Sequence, residues 1–202
     1  MPTIYDQIYA AAEPYWQTRS NEIHVPESYA LAKALLLRYP EADETVVLPA
    51  ILLHDIGYMS IPRETQMQGL AGSPLGWDAA ITRLHEIEGA RLAGEILTSL
   101  NYDPAKIALI SQIIDGHDSR KEALSLDDAI VKDADKLWRF TLSGVRICHE
   151  WTHKTPAAFM AYVESHIADW LLTEQGKGLA RVILEQTRQA YATRTEDEST
   201  TF

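Results

Sequence analysis

The sequence predicts an all-α protein, a single-domain bundle of about seven to nine helices. Three observations carry that reading. Apolar residues recur at three- and four-residue intervals along most of the chain, the period of a helix with one buried face. No stretch alternates apolar and polar residues as a half-buried strand would. Helix-starting and helix-stopping residues, among them Asp43, Asp103-Pro104 and Pro40, fall between the periodic stretches. With 202 residues, 46% of them hydrophobic and 23% charged, the chain can bury one sizeable core and is neither disordered nor fibrous. No internal repeat or low-complexity tract divides it.

The elements follow in order. Ile8, Ala11, Ala12 and Trp16 give a short helix or two turns over Tyr5 to Trp16, interrupted by Pro14. From His24 to Tyr39 the stripe Val25, Tyr29, Ala32, Leu35 and Leu36 predicts a helix closed by Pro40. Asp43 caps a helix from Glu44 to Asp55 that is apolar nearly all round and therefore central. Gly57 reads as its glycine stop. Ser60 to Gly76, with two prolines and three glycines, reads as a long loop leaving the end of that helix, a candidate lid. Helices are then expected over Asp78 to Leu100, from Asp103-Pro104 to near Gly116-His117-Asp118, and from Leu126 onward. Two or three more (Gly144 to Trp151, Pro156 to Leu172, Gly178 to Tyr191) complete the bundle. Residues 193–202 form an acidic tail expected to fray.

No apolar run approaches the roughly 20 residues that cross a bilayer, and the N-terminus lacks the pattern of a signal peptide. A single cysteine, Cys148, reads as a core residue and suits a reducing cytoplasm. The net charge of −11 argues against long nucleic acid as a partner, because such binding draws on Lys and Arg neutralising phosphates. A small anionic substrate remains compatible, since a metal supplies local positive charge.

Chemistry concentrates where the central apolar helix ends. Ala50-Ile51-Leu52-Leu53 runs straight into His54-Asp55. A histidine and a carboxylate emerging from a core are costly unless their charge is compensated, and a metal cation compensates both. His24 at a helix start, His85 beside an apolar face, His117 at a helix end and Asp135 in a largely apolar helix border the same predicted core. Six ligands exceed one zinc site and suit two metals bridged by a carboxylate. His149 and His153 have the spacing of a helical metal pair but lack a third ligand.

The order His24, His54-Asp55, His85, His117, Asp135 resembles the six-ligand, two-metal branch of the HD superfamily of metal-dependent phosphohydrolases. His85-Glu86-Ile87-Glu88-Gly89-Ala90 and Asp133-Ala134-Asp135-Lys136-Leu137 resemble two further motifs of that family. The likeness covers roughly residues 19 to 140, leaving the C-terminal helices of residues 141–192 outside it. It implies one metal on His24, His54, Asp55 and Asp135. A second would take Asp55 as bridge with His85 and His117, and a water between the metals would be the nucleophile. Asp55, His54 and Asp135 then form the catalytic group, with Asp133 and Glu86, and more weakly Asp118, orienting ligands. Lys136, Arg139 and Arg63, and after them Arg19, are the candidate substrate anchors. Tyr58 stands where the cyclic-dinucleotide phosphodiesterase branch usually has lysine, which disfavours that class.

The expected function is hydrolysis of a small phosphate ester or anhydride, a nucleotide above all. The alternatives are a di-iron oxygenase similar to myo-inositol oxygenase and the phosphonate-cleaving oxygenases, or a non-catalytic metal-stabilised binding module. The ligand types admit manganese, iron, cobalt, nickel, zinc or magnesium.

Overall fold

The computed structural model describes residues 2–69 and 77–199, with side chains through residue 193. Those residues form eleven α-helices and no strand. They are α1 (Ile4–Ala12), α2 (Asn21–Leu36), α3 (Glu44–Leu53), α4 (Arg63–Gln66), α5 (Ala79–Ser99), α6 (Pro104–Ile114), α7 (Leu126–Leu137), α8 (Leu142–Trp151), α9 (Pro156–Ser165), α10 (Ile167–Trp170) and α11 (Glu174–Ser199). Short 3₁₀ turns follow α1, α3, α4 and α7. No helix among them is long and apolar enough to cross a membrane.

The all-α expectation holds, and the helices start where local chemistry places them. The Asp43 side chain accepts from the Thr45 amide at 2.9 Å, Asp78 from Ala80 at 2.8 Å, and Asp103 from Ala105 at 2.8 Å. Each satisfies an amide that the first helical turn leaves orphaned. Ser125, Thr141 and Thr155 do the same for α7, α8 and α9.

α3 is the axis of the bundle. From Val46 to Leu53 every residue is buried, with α1, α2, α6 and α7 packed around it. Each fully buried Leu or Ile there contributes roughly 1.5–3 kcal/mol, so the end of α3 is fixed from all sides. Cys148 lies in the same core, and burial pushes its thiol up to about 12. A disulfide reagent at pH 8 is therefore expected to leave Cys148 unmodified in the folded protein, with one thiol appearing per chain once denaturant is added.

Several boundaries differ from the sequence expectation. The predicted helix over Pro156 to Leu172 is two, α9 and α10, broken at His166. The expected loop from Ser60 is helical over Arg63–Gln66. Buried Gln66 draws that turn onto the body by donating to the Tyr58 and Ile61 carbonyls at 3.0 and 2.8 Å. The rest of the candidate lid, residues 70–76, lies outside the described residues. The backbone of the acidic tail stays helical through Ser199.

Gly57 does not act as a left-handed stop. It sits inside the 3₁₀ turn Ile56–Ser60, and a Cβ there would overlap the His85 carbonyl and the Gly89 amide. Its role is close approach: the turn after α3 lies directly on the α5 backbone, which carries His85.

Candidate metal centre

Five separate segments converge at the end of α3. His24 comes from the first turn of α2, His54 and Asp55 from the two residues after α3, and His85 from the second turn of α5. His117 comes from the turn after α6, and Asp135 from the last turn of α7. All six are buried. His54 keeps helical angles while Asp55 moves to φ −101°, ψ 1°. That bridge conformation turns the carboxylate away from the helical direction.

The donors fall into two groups that share Asp55. His24 Nε2 and His54 Nε2 are 3.0 Å apart and lie 3.6 and 3.7 Å from Asp55 Oδ2. His85 Nε2 and His117 Nε2 are 3.3 Å apart and lie 3.8 and 3.6 Å from Asp55 Oδ1. Both trios can hold a metal ion. Asp135 joins the first group, its Oδ1 lying 3.3 Å from His24 and 3.7 Å from His54.

The imidazoles are aimed by the backbone. His54 Nδ1–H donates to the Ile51 carbonyl at 2.8 Å, and His117 Nδ1–H to the Ile114 carbonyl at 2.9 Å. Each bond ends on a carbonyl of the last turn of α3 or α6, and in the neutral ring a proton on Nδ1 leaves Nε2 as the lone-pair nitrogen. Ser28 Oγ stands 3.2 Å from His24 Nδ1. Two ring nitrogens face each other at 3.0 Å in one pair and at 3.3 Å in the other, an arrangement that a cation between them would satisfy. A buried Asp135 Oδ2 without a hydrogen-bond partner adds an unsatisfied acceptor whose lone pairs are open to a cation. The residues fit divalent metals.

Electrostatics agree. Burial would raise the Asp55 carboxyl, but the imidazoles around it, His54 foremost, hold it well below the usual range. Burial acts against the charge of Asp135 too, and Arg139 with the two imidazoles overrides it. Burial pushes His85 down to about 4, so this ring is a neutral donor at pH 7. His117 stands at about 9: burial opposes its charge, but Asp55 and Asp118 outweigh it. A proton on His117 and a metal cation answer the same negative field.

The surroundings are divided between clamps and walls. Glu86, fully buried, accepts the Asp118 and Ser119 amides at 2.9 and 2.7 Å and so holds the turn that carries His117. Lys132 grips the other side of that turn. Its Nζ donates to the Gly116, His117 and Arg120 carbonyls at 2.7, 2.9 and 2.8 Å. Tyr58 stacks on His85 with ring centroids 4.1 Å apart, and the Arg19 guanidinium lies 4.0 Å from the Tyr58 centroid. Two groups that close cannot share a face of the ring, so Tyr58 is sandwiched between them.

The remaining residues singled out in the sequence sort by place. Arg139 Nη1 lies 3.6 Å from Asp135 Oδ1, and Lys136 Nζ 3.9 Å from Asp135 Oδ2. Arg63 lies on α4, donates to the Gln17 carbonyl, and lines an outer cavity of about 480 Å³ together with Arg19, Gln66 and Trp151. Asp133 is not brought to the centre. Its carboxylate accepts the Leu172 and Thr173 amides at 2.7 and 2.9 Å and pins the start of α11 to α7. His149 donates to the Lys154 carbonyl and exposed His153 faces solvent, so they form no pair at the centre. Lys132 drew no attention in the sequence. Its i,i+4 spacing from Asp128 and i,i+3 spacing to Asp135 place all three on one face of α7, which was the available signal.

A family model described as HD domain matches residues 22–139, more than half of the chain. The protein belongs to the HD-domain family, whose members bind divalent metals and are mostly metal-dependent phosphohydrolases. Comparison with curated proteins and with solved structures gives no match.

Proposed function

We propose that the protein is a two-metal phosphohydrolase acting on a small phosphate ester or anhydride, with nucleotides as its substrate class. The observation that carries this reading is Asp55, which turns one carboxylate oxygen to each histidine pair. Two cations held on such a bridge would supply an activated water and neutralise charge on a phosphoryl group.

The chain's own residues supply binding and exclusion. The cavity directly over the donors is only about 20 Å³, walled by Arg19, Arg139, Asp118, Trp138 and Trp151. It has room for about one water-sized group, such as a single phosphoryl oxygen. Arg139 is held charged there, Asp135 outweighing the effect of burial, and its guanidinium fork can grip phosphate oxygens. Lys136 adds a point charge beside it. The rest of the substrate would occupy the outer cavity, which has the size of a small-molecule site. Arg19 and Trp151 belong to both walls and connect the two. Trp151 offers an aromatic face to a base, and Arg63 a cation to a second anionic group. The net charge of −11 leaves long nucleic acid outside this reading, and the lone buried thiol suits a reducing cytoplasm.

The test is phosphate or pyrophosphate release from a panel of nucleotides and sugar phosphates with manganese, alongside Asp55→Ala. Release by the wild type that the variant abolishes is expected. Silence across the panel, with dioxygen consumed by the iron-loaded protein, would replace hydrolysis by the oxygenase reading.

A further inference from the structure

We propose that Asp118 is a seventh protein ligand, the carboxylate that completes the donor set of the second metal. On the first side of Asp55, the fourth donor is Asp135. On the second side, Asp118 Oδ2 lies 3.7 Å from His85 Nε2 and 3.9 Å from His117 Nε2. Each half then presents two imidazole nitrogens, one oxygen of Asp55 and one carboxylate of its own. The nitrogen–oxygen spacings run from 3.3 to 3.7 Å on the first side and from 3.6 to 3.9 Å on the second, near the roughly 3.4 Å that tetrahedral bonds of about 2.0–2.2 Å set between donors.

The carboxylate is placed rather than merely near. Its residue lies in the turn held between Glu86, which accepts the Asp118 amide, and Lys132, which donates to the His117 carbonyl. His85 and Glu86 are neighbours on α5, so the element that supplies one ligand also fixes the segment that supplies two more. Among the described residues no N–H or O–H group hydrogen-bonds to the Asp118 carboxylate, which faces the inner cavity. The clamps fix the backbone of the turn, and from it a carboxylate only 26% exposed reaches beside two imidazoles, where a cation would be its partner.

This changes the charge of the centre. Two divalent cations against Asp55 and Asp135 leave +2, and with Asp118 they leave +1. Oxygen donors also shift preference toward manganese or iron and away from zinc. The inference rests on the two-metal reading above, but its test reads metal binding and not turnover.

Chelator-treated protein is titrated with cobalt(II), following heat by calorimetry and coordination by visible absorption, for wild type, Asp118→Asn and Asp118→Ser. Two ions are expected per wild-type chain. In each variant one ion should bind as in the wild type and the second about 10–100-fold more weakly, with a changed cobalt spectrum and an unchanged helical circular dichroism signal. Two ions with wild-type affinities and spectrum in a folded variant would overturn the proposal, as would a wild type that takes a single ion at saturating cobalt. Because Asn and Ser differ in volume, failure of one to fold leaves the other to decide. Absence of phosphate release would count against the hydrolase reading and leave this result standing.

Discussion

Asp55→Ala is expected to empty both metal positions and abolish activity while leaving the bundle folded. One carboxylate serves both histidine pairs, through Oδ2 on one side and Oδ1 on the other. Truncation therefore removes an anionic donor from each metal at once, whereas loss of His24 or His85 would weaken one. Activity should fall by at least about 10³-fold, equivalent to roughly 4 kcal/mol of transition-state stabilisation. The carboxylate faces imidazoles and bonds to no backbone amide among the described residues, so no helix cap depends on it. Elemental analysis should find near-zero metal in the variant. Its melting temperature should match that of chelator-treated wild type within a few degrees. A variant that still holds two ions would show that Asp55 is not the bridge.

Lys132→Met should be the most damaging change outside the ligand set. The ammonium is 2% exposed and donates to three carbonyls, with Asp128 Oδ1 4.0 Å away. Burial pushes its pKa down to about 8, which still leaves it protonated at pH 7. Methionine fills similar volume but satisfies none of the three carbonyls and leaves the buried Asp128 without its lysine. Breaking such a buried network costs about 3–5 kcal/mol, and for a chain of this size each kcal/mol shifts the melting temperature by about 2–4 °C. A drop of roughly 6–20 °C is expected by thermal unfolding. In the surviving folded protein the second metal should bind more weakly, because the turn holding His117 and Asp118 has lost one of its two clamps. A melting temperature within 2 °C of wild type would show that the turn is held without Lys132.

The sequence made the fold class and the order of ligands legible for a physical reason. Helical period and aspartate caps are local, so Asp43, Asp78 and Asp103 announce their helices within four residues. A histidine beside an apolar stripe also advertises a polar group taken into a core. What stayed hidden depends on partners far along the chain. Asp133, two residues from Asp135, looked like support for a ligand, yet its partners are Leu172 and Thr173. Gly57 looked like a helix stop because glycine commonly is one, and nothing local reveals that α5 presses against it. The sequence reads the His117-Asp118 doublet as a ligand followed by a residue that only orients one. The structure shows both of its side chains facing one histidine across the site.

The bonds from His54 to Ile51 and from His117 to Ile114 place two roles on one side chain. In each, one ring nitrogen donates to a carbonyl of the preceding helix's last turn while the other points into the centre. Asparagine at either position retains a short side chain with an N–H donor for the carbonyl and offers no imidazole lone pair. Such a replacement makes it possible to ask what the protein loses as an architecture and what it loses as a ligand, one question at a time. The same duality sets the mutational tolerance of the two sites: selection for a stable helix end and selection for a metal donor fall on one side chain, so drift cannot relax either demand alone.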